Sequence, residues 1–372
     1  MSTQQLMIPI EYSINVNVTR ENAGEPAPNT SNIALLTTDT TSITGAYGAY
    51  VTADEALEVV NADSLTAKMI TGLFGPDATF RNNDGQLFIV PVDVSEVESA
   101  ADVVALVTQL KEVVPYFGVL IDTFNFDFDM SDFFAYADTQ NFVYGYGVVD
   151  YENLDLSEYK HTEGLYTGGD LNNTKQALAA FVSVGTSANW NGSDTALTMN
   201  LKSLSPILAP GRIDTTIIGT LKDQGISAYA LTAGDSTVYS HKNLGGYWDD
   251  KIGGIALKLE IQTNLYNLAR GVTTKIPQNE SGVTMVRNAA SQAWQKFLDN
   301  GFLTTGVEWK GTTTFGNKEN FLRSIVENGY YQYNKPLSSQ TPAERAARTI
   351  TIQGAGQSAG AIHFITYNAI LA

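Results

Sequence analysis

The sequence predicts a multidomain protein of mixed α/β and α+β class, with an extended β-strand arm at each end. Three observations carry this. Short apolar runs alternate with capped, amphipathic stretches through the first 250 residues. After residue 250 the texture changes to long helical periodicity. Near both termini, apolar and polar side chains alternate at the period of a strand. At 372 residues the chain has room for two or so hydrophobic cores.

In residues 8–20, Ile10, Tyr12, Ile14, Val16 and Val18 fall on one face, and Glu11, Ser13, Asn15, Asn17 and Thr19 on the other. That is the pattern of a half-buried strand. The ENAGEPAPNTSN stretch that follows, with two prolines and many small polar residues, reads as a linker. A strand on a loose tether suggests an arm that pairs away from its own body.

Strands are expected at 33–37 and 87–92, with a helix between them opened by a Thr52–Glu55 capping box. Ser99 and Asp102 open a further helix that Pro115 ends. A strand at 117–122, a helix after Ser131 and a strand at 142–149 continue the rhythm. Helices near 174–183 and 213–224 follow, the second closed by Gly225. Beyond residue 250, Ile252, Ile255, Ala256, Leu259, Leu265 and Leu268 mark an amphipathic helix stopped by Gly271. A second helix runs from Ser281 to Asn300 with Gly301 at its end, and Thr341 with Glu344 forms another capping box around Pro342.

The chain closes on TITIQ at 349–353, with Ile350 and Ile352, then a glycine-rich turn, then 361–371 with Ile362, Phe364 and Thr366. Neither terminal strand has an evident hairpin partner beside it, except that the last two could pair with each other. Free edge strands invite pairing with other chains, so strand addition between molecules is expected.

The composition excludes several classes. With no cysteine there is no disulfide framework, thiolate metal site or cysteine nucleophile, which fits a reducing cytoplasm or a particle that must not cross-link. The first residues lack a basic region followed by an apolar core, so no signal peptide is expected, and no apolar run is long enough to span a membrane. A net charge of −17 argues against direct nucleic-acid binding. The charge is uneven: residues 1–250 carry 32 acidic and 10 basic side chains, residues 251–372 carry 7 and 12. Either the two parts merely differ in surface, or the basic part faces something acidic.

Candidate chemistry is thin. Gly356-Gln357-Ser358-Ala359-Gly360 matches a nucleophile elbow, yet the next segment alternates as a strand and no acid follows, leaving only His363 downstream. Asp127, Asp129 and Asp138 sit at positions 1, 3 and 12 of a possible calcium loop, but Asp132 stands where that loop needs glycine. His161, His241 and His363 show no ligand spacing. Gly145-Tyr146-Gly147 lies inside a strand and lacks a third glycine. The Asp249–Asp250 pair is better explained by its place at a helix start than by acid–base work. No catalytic residue, cofactor or metal is therefore expected.

The run Gly245-Gly246-Tyr247-Trp248-Asp249-Asp250, then Glu260-Ile261-Gln262-Thr263-Asn264-Leu265, resembles the tail sheath proteins of contractile-tailed bacteriophages. Pro277, the Ser281–Asn300 helix, Gly301-Phe302-Leu303, the basic Glu344-Arg345-Ala346-Ala347-Arg348 and the ending Gly360-Ala361-Ile362-His363-Phe364 continue the likeness in order.

The resemblance implies a strand arm at 1–22, an outer α/β domain at 23–250, an inner sheath-type domain facing the tail tube at 251–348, and a second arm at 349–372. It implies a helical homopolymer of hexameric rings, woven by strand exchange, contracting without nucleotide hydrolysis to drive the tube through a host envelope. Partners would be copies of itself, the tube protein, and baseplate and terminator proteins, with no nucleic acid bound directly and no membrane insertion. The setting would be the virion tail, assembled in the host cytoplasm. Lys251, Lys258, Arg345 and Arg348 become candidate tube or neighbour contacts. The sheath of a phage-derived injector is the nearest alternative; a surface-binding module or an enzyme stands further off.

Overall fold

The computed structural model describes residues 29–76, 84–122 and 129–363. The expected strand with Ile10, Tyr12, Ile14, Val16 and Val18 lies outside them, as do Asp127, Phe364 and Thr366. The chain forms two compact units. The larger comprises Asn29–Ala188, Leu197–Ile255 and the described residues from Ala361 on; the smaller comprises Asn189–Ala196 and Ala256–Gly360.

The larger unit is built on an eight-stranded sheet. Its strands are β1 (Ile33–Thr37), β2 (Gly48–Tyr50), β3 (Leu87–Pro91), β4 (Gly118–Ile121), β5 (Val143–Val148), β6 (Thr162–Tyr166), β7 (Ile226–Thr232) and β8 (Asp235–Tyr239). The spatial order is β2-β3-β1-β4-β5-β6-β7-β8. Only β2 and β8 run antiparallel to their neighbours; the six strands between are parallel. Parallel strands are covered on both faces, which is why β1 reads as an unbroken apolar run and is wholly buried.

The helices of this unit are α1 (Ala53–Leu57), α2 (Leu65–Phe74), α3 (Ala100–Lys111), α4 (Ser131–Ala137), α5 (Leu171–Thr186) and α6 (Thr215–Asp223). One face of the sheet, with Ala34, Leu36, Phe88, Val90, Val119 and Ile121, packs on Val103 and Val107 of α3, Phe133 and Phe134 of α4, and Leu221 of α6. On the other face α5 lies so close that a Cβ on Gly145 would meet Leu120 and Val182 at 2.9 Å. The glycines of that segment serve helix–sheet contact, not a nucleotide.

Two capping expectations hold only in part. Thr52 accepts from the Glu55 N–H, whereas the Ser99 hydroxyl donates to the Asp102 carboxylate and caps no backbone group. Gly225 closes α6 with φ +68°.

The seventh helix, α7 (Trp248–Gly271), begins in the larger unit and continues in the smaller, so the division falls between residues 255 and 256. The smaller unit adds α8 (Glu280–Asp299), α9 (Lys318–Asn328), β9 (Tyr330–Asn334), the short α10 (Pro342–Ala346) and β10 (Ile352–Gly356). α10 carries the full capping box, Thr341 and Glu344 each accepting the other's backbone N–H. Asn189–Ala196, drawn from the middle of the sequence, also packs here: Trp190 stacks on Phe297 with centroids 5.3 Å apart, and the Asp194 and Thr195 N–H groups donate to the carbonyls of Asp299 and Asn300.

Candidate assembly site

The start of α7 shows why the Gly245–Asp250 run has its composition. Gly246 turns the chain at φ +91°, and a Cβ on Gly245 would lie 2.2 Å from the Lys160 carbonyl oxygen. Trp248 is fully buried, edge-on to Phe181 at 5.0 Å, against a site where Gly185 has no side chain. Asp250 caps the helix by accepting from the Tyr247 N–H at 3.1 Å. Asp249 sits over the same turn, and burial first, then the neighbouring Asp250, pushes its carboxyl up to about 6.

Lys251 is a correction. Its ammonium group is fully buried and paired with Glu163 of β6, whose other oxygen accepts from Ser227. A lysine with no exposed side-chain surface is not presented to a tube or neighbour, and the partner that buries it lies 88 residues away in the sequence. Lys258 is half-buried on α7, while Arg345 and Arg348 are exposed on and after α10.

The remaining chemistry candidates do not converge. Asp129 accepts from the Ser131 backbone and hydroxyl, and Asp138 accepts the N–H groups of Lys160 and His161. His161 and His241 each face a backbone carbonyl, and burial lowers both from the ordinary histidine value. The segment carrying Ser358 continues without a helix to His363. Among the described residues no group of three His, Cys, Asp or Glu side chains could hold a metal ion.

A different kind of site emerges in the smaller unit. β9 and β10 pair antiparallel, Tyr330 opposite Gly356 and Asn334 opposite Ile352. Here the expectation of an unpaired terminal strand at 349–353 fails: Ile350 precedes the strand, and Ile352 opens one that pairs within its own chain. The strand is shifted to 352–356 because the glycines, which read as a turn, fit against Trp294. Ile362 is 84% exposed, next to His363.

Both faces of β9 are covered. On one, Tyr330 stacks on Trp294 of α8 at 5.6 Å and Gln332 donates to Ser291 at 2.8 Å. On the other, Phe321 of α9 meets Tyr331 at 5.2 Å, and Phe315 meets Tyr331 and Tyr333. The edges are another matter. The Gln357 N–H donates to Gly329, which sets the phase of the ladder: 331 pairs with 355 and 333 with 353. Residues 330, 332 and 334 of β9 and 352, 354 and 356 of β10 therefore turn their backbone groups outward. Among the described residues only side chains reach these edges, Ser324 to the Tyr330 carbonyl and Arg287 to that of Gln332, both on β9.

The larger sheet is protected by contrast. Its β2 edge is three residues long, and at β8 the Leu201–Lys202 segment exchanges bonds with Val238. Proteins blunt exposed edges in these ways; a small sheet with two open edges is a template for added strands.

The sequence of residues 248–370 matches the family described as E217 tail sheath protein gp31-like, C-terminal domain. No curated protein is similar to the chain in sequence. Solved structures share the fold along nearly the whole chain. The anti-feeding prophage helical sheath in its contracted state is 11% identical with a TM-score of 0.66, covering 94% of this chain and 95% of that one. The PVC sheath complex of an extracellular contractile injection system, also contracted, is 10% identical at 0.61, with coverage of 94% and 95%. A sheath tail protein from Listeria innocua is 8% identical at 0.56, with coverage of 91% and 96%. Residues 248–370 are thus similar in sequence to a tail sheath family, and the chain shares its fold, an α/β body with a sheath-type C-terminal part, with sheath proteins of known structure.

Proposed function

We propose that this chain is the repeating subunit of a contractile sheath, a structural protein and not an enzyme. The carrying observation is the β9–β10 sheet, whose β9 is covered on both faces and whose two outer edges have backbone groups turned outward. Two strand-patterned segments lie near the chain's ends, 8–20 and 361–371, and supply two strands for two edges. In this reading they reach neighbouring copies and weave a helical polymer of stacked rings. Each added strand of five or so residues contributes a ladder of main-chain hydrogen bonds and a buried apolar row.

The polymer would surround a tube protein and end on baseplate and terminator proteins. The basic C-terminal third, with Lys258, Arg345 and Arg348, would meet the tube or an acidic neighbour, and the acidic first 250 residues would lie outward. Contraction is then rigid-body re-packing of whole subunits while the exchanged strands stay paired, with the energy stored in the extended lattice. One of the similar sheaths belongs to an extracellular contractile injection system and another to the anti-feeding prophage, which supports a phage-derived injector as the setting.

The experiment is negative-stain microscopy of the purified full chain beside a version lacking residues 1–20. Tubes of uniform diameter from the full chain and none from the truncated one support the reading. A full chain that stays monomeric at high concentration, alone and with its tube protein, refutes it.

A further inference from the structure

The chain leaves the smaller unit at Gly360 and returns to the larger with Ala361, Ile362 and His363. We infer that the His363 imidazole is a proton-operated fastening: neutral, it holds residues 361–363 to the entrance of α7, and protonated, it lets them go. This is a property of the single folded chain, and it stands whether or not copies assemble.

Ala361 and Ile362 are exposed, so His363 carries the hold. The buried Asn200 donates its side-chain N–H to the His363 carbonyl at 3.3 Å and accepts the Ser240 N–H. The Tyr247 ring meets the imidazole edge to face, with centroids 4.2 Å apart. Nε2 lies 2.9 Å from the Thr198 hydroxyl, which donates to Asp249 Oδ1 at 3.4 Å. With that hydrogen spent on the carboxylate, the Thr198 oxygen accepts from Nε2–H, and the neutral ring keeps its lone pair on Nδ1. Nδ1 is shut off from water and has no hydrogen-bond partner among the described residues. A second proton has to go there. A bare acceptor in such a place costs less than an N–H of a charged ring left without an acceptor.

The charged groups around the ring come from one element. Asp249 and Asp250 stand at the entrance of α7, while the 197–200 stretch brings only Thr198 and Asn200. Glu163, whose charge reaches Asp249, is itself paired with Lys251. Burial lowers the imidazole from the ordinary histidine value against the opposing pull of Asp250. A base held below its free value favours the fastened state above that value, about 6.5, and the hold weakens as pH falls through it. Asp249 acts in the same sense. Its carboxyl, pushed up to about 6, takes up a proton in this interval and withdraws negative charge that would support an imidazolium. Once the fastening opens, the next hold inward is the Ala359 N–H, which donates to the Phe302 carbonyl at 2.9 Å. Residues 360–363 then join the chain beyond them and add roughly 13 Å of reach.

The chain has no cysteine and Ile362 is 84% exposed, so Ile362→Cys carries a nitroxide label without disturbing the packing. Electron paramagnetic resonance of the full chain, kept dilute so that it stays monomeric, reads the label's mobility from about pH 8 to about pH 5. The expected result is an immobile label above about pH 6.5 and a mobile fraction that grows below it, by up to about tenfold per pH unit. Adding His363→Gln, which takes up no proton, should abolish the pH dependence, whether that variant holds the label still or leaves it loose. Exchange of the imidazole C2 hydrogen, followed by mass spectrometry, gives the titration of His363 in the unlabelled chain. It should lie below the ordinary histidine value and run with the release. Mobility that does not change with pH, or that changes equally in the glutamine variant, overturns the inference. So does a His363 that titrates at or above the ordinary value, or mobility that rises only as circular dichroism reports loss of the whole fold.

Discussion

Trp294 and Tyr330 stack nearly parallel, at 7° with ring centroids 5.6 Å apart, and the indole fills the space that side chains at 354 and 356 would need. Strand β10 is held down by this stack, with backbone in place of side chains against the ring.

A methyl group at either glycine must therefore displace a large buried ring. Gly354→Ala and Gly356→Ala are each expected to destabilise the smaller unit by about 1–3 kcal/mol, the usual cost of overpacking. Polymer yield should fall with them. Thermal unfolding of the monomeric chain measures the first effect and pelleting assays the second. Unchanged unfolding would mean that Trp294 can move aside.

The Glu163–Lys251 pair ties β6 to the first turn of α7 with no exposed side-chain surface on either partner. Removing one partner strands a buried charge, so Glu163→Leu or Lys251→Met alone should cost on the order of 3–5 kcal/mol. The double variant should recover most of that, since a buried pair exchanged for apolar groups is often near neutral. Denaturant unfolding of the four chains forms the cycle; an additive double variant would show that the two groups do not act as a pair.

Much of the larger unit was legible from the sequence. β1, β3, β4 and β5 announce themselves as short apolar runs because parallel strands are buried on both faces. β6, TEGLY, does not, because Glu163 is charged and its compensating Lys251 comes far later. The β7–β8 hairpin turns through Ala233 and Gly234, both with positive φ, at 51° and 101°, and only the glycine marks such a turn in the sequence. Asn189–Ala196 joins the smaller unit through Trp190 and backbone bonds to the end of α8, a long-range pairing with no local period. The β9–β10 sheet was the least legible part, since YYQYN and IQGAG lack alternating apolar residues and owe their conformation to the rings beneath and above them.

Burial raises the Asp249 carboxyl to about 6. The native state then holds a proton that the unfolded chain has released between about pH 4 and 6, so this group makes stability fall as pH rises through that window. Above it the penalty is fully present, up to about 3 kcal/mol. Asp249→Asn should accordingly stabilise the protein at pH 7 more than at pH 4, where wild type and variant converge. Unfolding midpoints across this range test it. A variant equally altered at both ends would show that the carboxylate's charge is not what burial opposes.

Arg345 and Arg348 are exposed on the smaller unit, which carries more basic than acidic side chains beyond residue 250, while the rest of the chain is strongly acidic. Glu344 is paired with the Thr341 N–H and with Lys335, while Arg345 and Arg348 stand exposed on α10 and at its exit. Arg345→Glu with Arg348→Glu should leave the unfolding midpoint of the monomer almost unchanged, as surface substitutions do. It should weaken polymerisation, alone or around a tube, most at low salt, because a long-range attraction has become a repulsion that added ions screen. Sedimentation of polymer at low and high salt separates this from a folding defect. Wild-type assembly at every salt concentration would remove both arginines, though not the open strand edges, from the account of how copies recognise one another.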